Sequence, residues 1–275
     1  GNEKWKYTNV RPLAAAGFDG TTDRISGDAG DTGDTVDTST LRQLAPWQDG
    51  WLNLVFLDGR YAGSLSTVSQ GSNGVQVTSL AAAIASDEQA VQQHLTRQAE
   101  VEDDGFTALN TAFLGDGALV KIPDGHLAPA PVNLIFVTTG RLQPQVSHPR
   151  VLVVVGRRSR LIVVESYVSL SSSPYFTNAV TELVVEDGAE LEHYRLLLES
   201  PEAFHVGSSR VRQGRDSTVK SASFATGAAL ARNDFQVLLD APGAACFLNG
   251  LYMTSGTQHI DNLINIDHAQ PHTKS

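Results

Sequence analysis

From about residue 132 onward, short apolar or β-branched runs alternate with tight polar turns that each hold a glycine. Residues 151–155 (Val-Leu-Val-Val-Val) pass through Gly156 into the run 161–164, and residues 183–185 pass through Glu186, Asp187 and Gly188 into 191–198. Gly214 likewise leads to 218–224, and Gly243 to 245–252. The marked glycines 125, 156, 188, 214 and 243 lie 31, 32, 26 and 29 residues apart, with no convincing helix-period run between them. A helix-free quasi-period of this size predicts a mainly β solenoid, because each coil must leave and return to the same column. The pattern is still running at Ser275, so the solenoid is expected to continue beyond it.

Upstream the pattern changes. Trp5, Tyr7, Val10 and Leu13 offer apolar anchors in residues 1–16, with Pro12 as a break. Residues 17–40 are nearly free of large apolar groups, a composition that buries too little surface to offset ordering entropy, and are predicted to form a flexible acidic loop. Trp47 and Trp51 precede a hairpin: a strand over 51–57, the turn Asp58-Gly59-Arg60, and a second strand near 61–65. Helices are predicted over 86–98 and 106–114. The first has Ser86 as N-cap, Asp87 and Glu88 in its first turn, and Ala90, Val91, His94 and Leu95 on one face; the second carries Phe106, Leu109, Asn110 and Phe113 and stops at Gly115. The β pattern takes over after Gly117. This divides the chain into a mixed α/β, helix-containing region, 1–118, and a solenoid core, 119–275.

Composition narrows the function. A net charge of −10 disfavours nucleic acid, which needs concentrated positive charge. Apolar content of 41% with 18% charged residues fits a folded domain. The single Cys246 excludes an internal disulfide framework and reads as a buried small hydrophobe. The first residues have no signal-peptide pattern, and apolar runs fall well short of the ~20 residues of a membrane helix, so a soluble intracellular domain is expected.

Candidate chemistry is sparse. Asp28, Asp31, Asp34 and Asp37 read as a solvated loop rather than a cation site, since the EF-hand spacing is absent. Arg141, Arg150, Arg157, Arg158 and Arg160 are read as outward turn decoration over an anion-binding cluster. In the tail, His259, Asp261, Asp267, His268 and His272 carry metal-ligand chemistry, with His268 and His272 as weak candidates, but strand alternation splits His259 and Asp261 from His268. Glu190 and Glu192 beside Tyr194 form the best carboxylate pair, which keeps a β-helix carbohydrate-active enzyme as the alternative function. There is no G-x-S-x-G elbow, phosphate loop or H-E-x-x-H.

Three segments together resemble the SufB/SufD family of iron–sulfur cluster assembly proteins: Glu-Lys-Trp-Lys-Tyr-Thr at 3–8, Phe-Thr-Ala-Leu-Asn-Thr-Ala at 106–112, and the tail holding His268, Pro271 and Ser275. The Trp-Lys-Tyr-Thr opening favours the SufD branch. The resemblance implies a right-handed parallel β-helix behind a helix-containing region. It further implies a non-enzymatic scaffold that pairs with SufB and carries the ATPase SufC, in the cytoplasm or a plastid stroma, with self-association of two copies when the partner is absent. No cofactor is then expected in this chain, the cluster being handled by the complex. Family members extend further at both ends, so this chain reads as a core fragment. Their Cys- and His-containing assembly segment is expected past Ser275. The acidic stretch 17–40 departs from the family pattern and reads as an insertion.

Overall fold

The computed structural model describes residues 5–20, 36–68, 74–99, 101–102, 104–140 and 145–275. The N-terminal elements are α1 (Arg11–Ala15), β1 (Asp19–Gly20), α2 (Thr38–Leu44), β2 (Leu52–Leu57), β3 (Arg60–Tyr61), β4 (Gln76–Ser79), α3 (Leu80–Ala85), α4 (Gln89–His94) and α5 (Gly105–Ala112). Among the described residues, strands follow without a further helix: β5 (Gly117–Ile122), β6 (Val132–Thr138), β7 (Gln145–Ser147), β8 (Arg150–Val155), β9 (Arg160–Ser169), β10 (Tyr175–Val185), β11 (Glu190–Leu198) and β12 (Ala203–Gln213). The last are β13 (Thr218–Ala225), β14 (Leu230–Leu239), β15 (Ala245–Tyr252) and β16 (His259–Asp267).

The strands alternate between two sheets. Sheet A runs β16-β14-β12-β10-β8-β5-β4, with β7 and β1 at its side, and sheet B runs β15-β13-β11-β9-β6-β2-β3. Pairing from β5 onward is parallel: Arg160 sits beside Glu190, Glu190 beside Thr218, and Thr218 beside Ala245. This is a parallel β-solenoid of about 5 turns, the fold the glycine-marked repeat predicts. Its first coil also takes in β2, which pairs in parallel with β6 through Leu54↔Leu134 and Phe56↔Phe136.

The turns use their glycines in two ways. Gly125, Gly188 and Gly243 take positive φ, while in the intervening turns Arg158 and Asp216 occupy that conformation instead. Gly156 answers a close approach: a Cβ there would lie 2.7 Å from the backbone nitrogen of Asp124 and the carbonyl of Ile122 in the preceding coil. The coils are also tied at this corner, where Arg157 N–H donates to Asp124 Oδ1 at 2.8 Å and Arg215 N–H to Asp187 Oδ1 at 2.8 Å.

Several local expectations need correction. Pro12 does not break the first segment; it lies in the first turn of α1, where its missing N–H costs no helical bond. Helix α2 begins inside the span expected to be a loop, because Asp37 caps it by accepting from Thr40 N–H at 2.8 Å. Asp28, Asp31 and Asp34 lie outside the described residues. The second hairpin strand is only Arg60–Tyr61 and passes into a 3-10 turn at Gly63–Leu65; the turn itself is as expected, with Asp58 and Gly59 at φ 50° and 81°. In the span expected to be one helix over 86–98 only the short α4 forms, with α3 just before it. Ser79, not Ser86, is the side-chain N-cap; Ser86 closes α3, and Asp87 at φ 57° turns the chain before α4. Helix α4 stops at His94 because the N–H groups of Thr96, Gln98 and Ala99 donate to the Glu182 carboxylate instead. Asp104 caps α5, which ends at Ala112 with Phe113 as its C-cap, before Gly115.

These helices cover the outer face of sheet A. Leu80, Ala83 and Ala90 pack on Leu119, Leu152 and Val184, while Leu13, Phe106 and Leu109 pack around Phe176 and Val206. Leu41 of α2 covers the first coils of sheet B at Val55, Ile135 and Val168. Further along sheet B, Tyr194, Phe247 and Leu251 remain exposed.

Candidate functional site

The sequence-nominated residues are held apart. His268 engages both ring nitrogens with hydroxyls, Thr273 Oγ1 at 2.7 Å and Ser275 Oγ at 3.2 Å, while His272 sits in a turn at φ 62°. Asp261 is taken by Arg232 and by the Thr8 hydroxyl. Among the described residues no group of three or more His, Cys, Asp or Glu side chains is placed to hold a metal ion. Glu190 and Glu192 share one cation: Arg160 lies 2.9 Å from Glu192 and 3.8 Å from Glu190, and the Tyr194 hydroxyl donates to Glu192 at 3.1 Å. Cys246 is buried, and burial pushes its thiol up, so it is an inert core residue.

Among the clustered arginines, Arg141 lies outside the described residues. Arg150 overturns the outward reading, since it is fully buried against Glu182, with Nη2 at 2.5 Å and Nε at 3.1 Å from Oε1. Its Nη1 reaches Asn110 Oδ1 at 3.2 Å, and Asn110 in turn donates to the carbonyls of Pro149 and Asn178 at 3.0 and 2.8 Å. Asn110 thus rivets α5 to sheet A. Trp5 has a comparable role at the N-terminus: it packs tilted against Phe106, with centroids 4.9 Å apart, and carries the Arg232 guanidinium over its ring at 4.3 Å.

A second constellation, not nominated by sequence, lies inside the solenoid. Along one inward column of sheet B the paired residues are Leu54, Leu134, Glu165 and Arg195; along the next they are Leu52, Val132, Val163, His193 and Ser221. Sheet A faces them with Thr177, Thr181, His205 and Ser209, and Glu199 enters from the turn after β11. All are buried.

Glu165 is the hub. Tyr167 OH donates to it at 2.6 Å and Thr181 Oγ1 at 3.1 and 3.0 Å, while His193 Nε2 stands at 3.4 Å and Arg195 Nε at 3.7 Å. Burial alone would raise its carboxyl, but Arg195 and the donors around it win and hold it down at about 2. Arg195 continues the chain to Ser209 Oγ at 2.9 Å and His205 Nε2 at 3.2 Å. A guanidinium only donates, so His205 accepts at Nε2 and turns its Nδ1–H toward Glu199 Oε2, 2.7 Å away but off the hydrogen-bonding direction. Gly207 makes room for this arrangement, since a Cβ there would fall 2.2 Å from Arg195 Nη2. Beyond Ser221 the lumen widens into a space of about 230 Å³. The strand parity of Glu165, among Leu161, Val163 and Tyr167, is the sequence signal that places a charge on the inner face.

The solenoid interior is thus charged, and the carboxylate pair nominated by sequence, Glu190 and Glu192, is engaged by Arg160. Residues 136–275 match the family model described as SUF system FeS cluster assembly, SufBD core domain, and residues 1–134 match the SufBD protein N-terminal region. The chain is 25% identical to an iron-sulfur cluster assembly SufBD family protein of Synechocystis sp., over 98% of this chain and 59% of the relative. It is 27% identical to the iron-sulfur cluster assembly protein SufD of Escherichia coli, over 97% of this chain and 58% of that protein. It is also 30% identical to the chloroplastic protein ABCI7 of Arabidopsis thaliana, over 60% of this chain and 36% of the relative. The chain therefore spans less than two thirds of the length of these relatives. With both halves matched in order, the second of them forming most of the solenoid, the chain belongs to the SufB/SufD family of iron–sulfur cluster assembly proteins.

Proposed function

We propose that this chain is the solenoid-bearing part of a non-catalytic scaffold subunit of the SUF machinery. It pairs with a SufB-like paralogue and a SufC-like ATPase and supports cluster assembly and iron acquisition, the cluster being cargo of the complex rather than a resident cofactor of this chain. The observation that carries this reading is the match of both halves of the chain, in order, to SufBD family models. The missing phosphate loop agrees with it, since ATP hydrolysis then belongs to the partner. Among the described residues no helix is long and apolar enough to cross a membrane, consistent with work in a cytoplasm or plastid stroma. The carbohydrate-enzyme alternative is disfavoured because Glu190 and Glu192 are both engaged by Arg160.

Affinity purification of the full-length protein, co-expressed with SufB and SufC homologues, tests this. The three are expected to elute together as a complex of defined stoichiometry. Elution of the protein alone, with polysaccharide-cleaving activity, would contradict the reading.

A further inference from the structure

A cleft of about 520 Å³ lies between α1, α5 and the outer face of sheet A, away from the lumen. Its walls are mostly apolar and include Leu13, Phe106, Leu109, Phe113 and Phe176. His148 closes one side, stacked on Phe113 at 5.5 Å and 21°, and edge-on to Phe176 at 6.4 Å and 83°. The volume suits a ligand of drug size, and apolar walls with a few converging polar groups are the usual form of such sites.

The polar groups decide what fits. Asn178 Nδ2 donates to the Phe106 carbonyl at 2.9 Å and approaches His148 Nδ1 at 3.2 Å. An amide nitrogen only donates, and the Phe106 carbonyl fixes its orientation, so His148 Nδ1 accepts and the ring proton sits on Nε2. Nε2–H has no partner among the described residues and is not sealed from solvent. Burial pushes the His148 imidazole down to about 4, which keeps the ring neutral near pH 7.

Two carboxylates at the rim are already occupied. Asp58 accepts from Thr139 N–H at 2.7 Å and Gln145 Nε2 at 2.7 Å, and Asp116 accepts from the N–H groups of Tyr61, Ala81 and Gly117 at 3.0, 3.0 and 2.8 Å. Arg60, also at the rim, offsets only one of these charges. Among the described lining residues the charge therefore stays net negative, which disfavours anions.

We propose that this cleft is a binding site for a neutral, flat aromatic molecule bearing a carbonyl or ring-nitrogen acceptor. The ligand stacks among the Phe113, His148 and Phe176 rings and accepts one hydrogen bond from His148 Nε2–H. The site is independent of the scaffold reading and lies outside the solenoid lumen.

Nile red, a neutral fused-ring dye with a carbonyl, is the probe. Titration of the intact protein is expected to give saturable, blue-shifted emission with one site per chain. Ala14→Trp, at an exposed position of α1 that lines the cleft, fills it and is expected to weaken binding by about tenfold or more, on the order of the 1.4 kcal/mol that a tenfold change represents. His148→Phe keeps the stacking ring but removes the donor, and is expected to weaken binding several-fold, roughly one neutral hydrogen bond. Leu251→Ser, on the exposed face of sheet B, is expected to leave the titration unchanged. No saturable binding, or binding that Ala14→Trp does not weaken while the protein's melting temperature is preserved, would overturn the proposal.

Discussion

The two stretches of the lumen follow the same columns and solve burial in opposite ways. In the early coils the columns are filled by Leu54, Leu134 and the Phe56–Phe136 pair, stacked at 4.8 Å, and Tyr167 carries that ladder into the next coil at 5.0 Å. One coil later the Leu134 column becomes Glu165 and then Arg195, and the solenoid interior turns ionic. The early coils need only shape, because apolar side chains in a stack satisfy one another without direction. The middle coils need a closed set of partners, because each buried charge is costly unless every neighbour is in place. The backbone is continuous through both; the side chains decide what kind of stability each coil has.

Truncation separates the two regimes most sharply. Glu165→Ala leaves Arg195 and His193 facing a buried void and is expected to cost about 3–5 kcal/mol in denaturant unfolding. Adding Arg195→Met to Glu165→Leu removes the stranded charge and is expected to recover at least about 1 kcal/mol relative to Glu165→Leu alone. In the dry stretch, Leu54→Ala is expected to cost about 2–5 kcal/mol from lost packing and the cavity left behind, with no gain from a second change at its column neighbour, since that neighbour is Leu134 rather than a charge. Equal rescue in both stretches would erase the distinction.

Acid gives a smaller, graded contrast. Glu165 sits below its ordinary value, at about 2, so between about 4.5 and about 2 the unfolded chain binds more protons than the folded one. Its contribution is therefore present above that window and is lost as pH falls through it. His148 is shifted the same way for a base, from about 6.5 to about 4, so the folded state also loses ground as pH falls through that higher window. Unfolding free energy followed from pH 7 to pH 3 is expected to decline in both windows. Glu165→Gln flattens the lower one, and His148→Phe the upper.

Much of this was legible in the sequence, though unevenly. The solenoid showed because strand and turn recur at near-constant spacing, and the Asp58-Gly59 turn showed because few other pairs favour that backbone. The short helices were less readable. Helix α4 ends where Glu182, 86 positions from Thr96, captures its amides, and no local pattern near residue 95 announces that. Arg150 read as a surface residue because its partners, Glu182 and Asn110, come from a strand and a helix distant in sequence. The lumen network was hidden for the same reason. Glu165, His193 and Arg195 stand on neighbouring strands, while His205 and Glu199 join across the lumen, so only the stacking register brings them together.

Residue-resolved hydrogen exchange on Glu165→Gln against the unaltered protein tests the central claim, that the charged coils hold together through their network and the early coils through packing alone. In a solenoid each coil contacts mainly its neighbours, so local loss stays local. The amides of β9, β10, β11 and β12 are expected to lose protection while those of β2, β5 and β6 keep theirs. Uniform loss along the solenoid, or unchanged protection in β9–β12, would contradict the account.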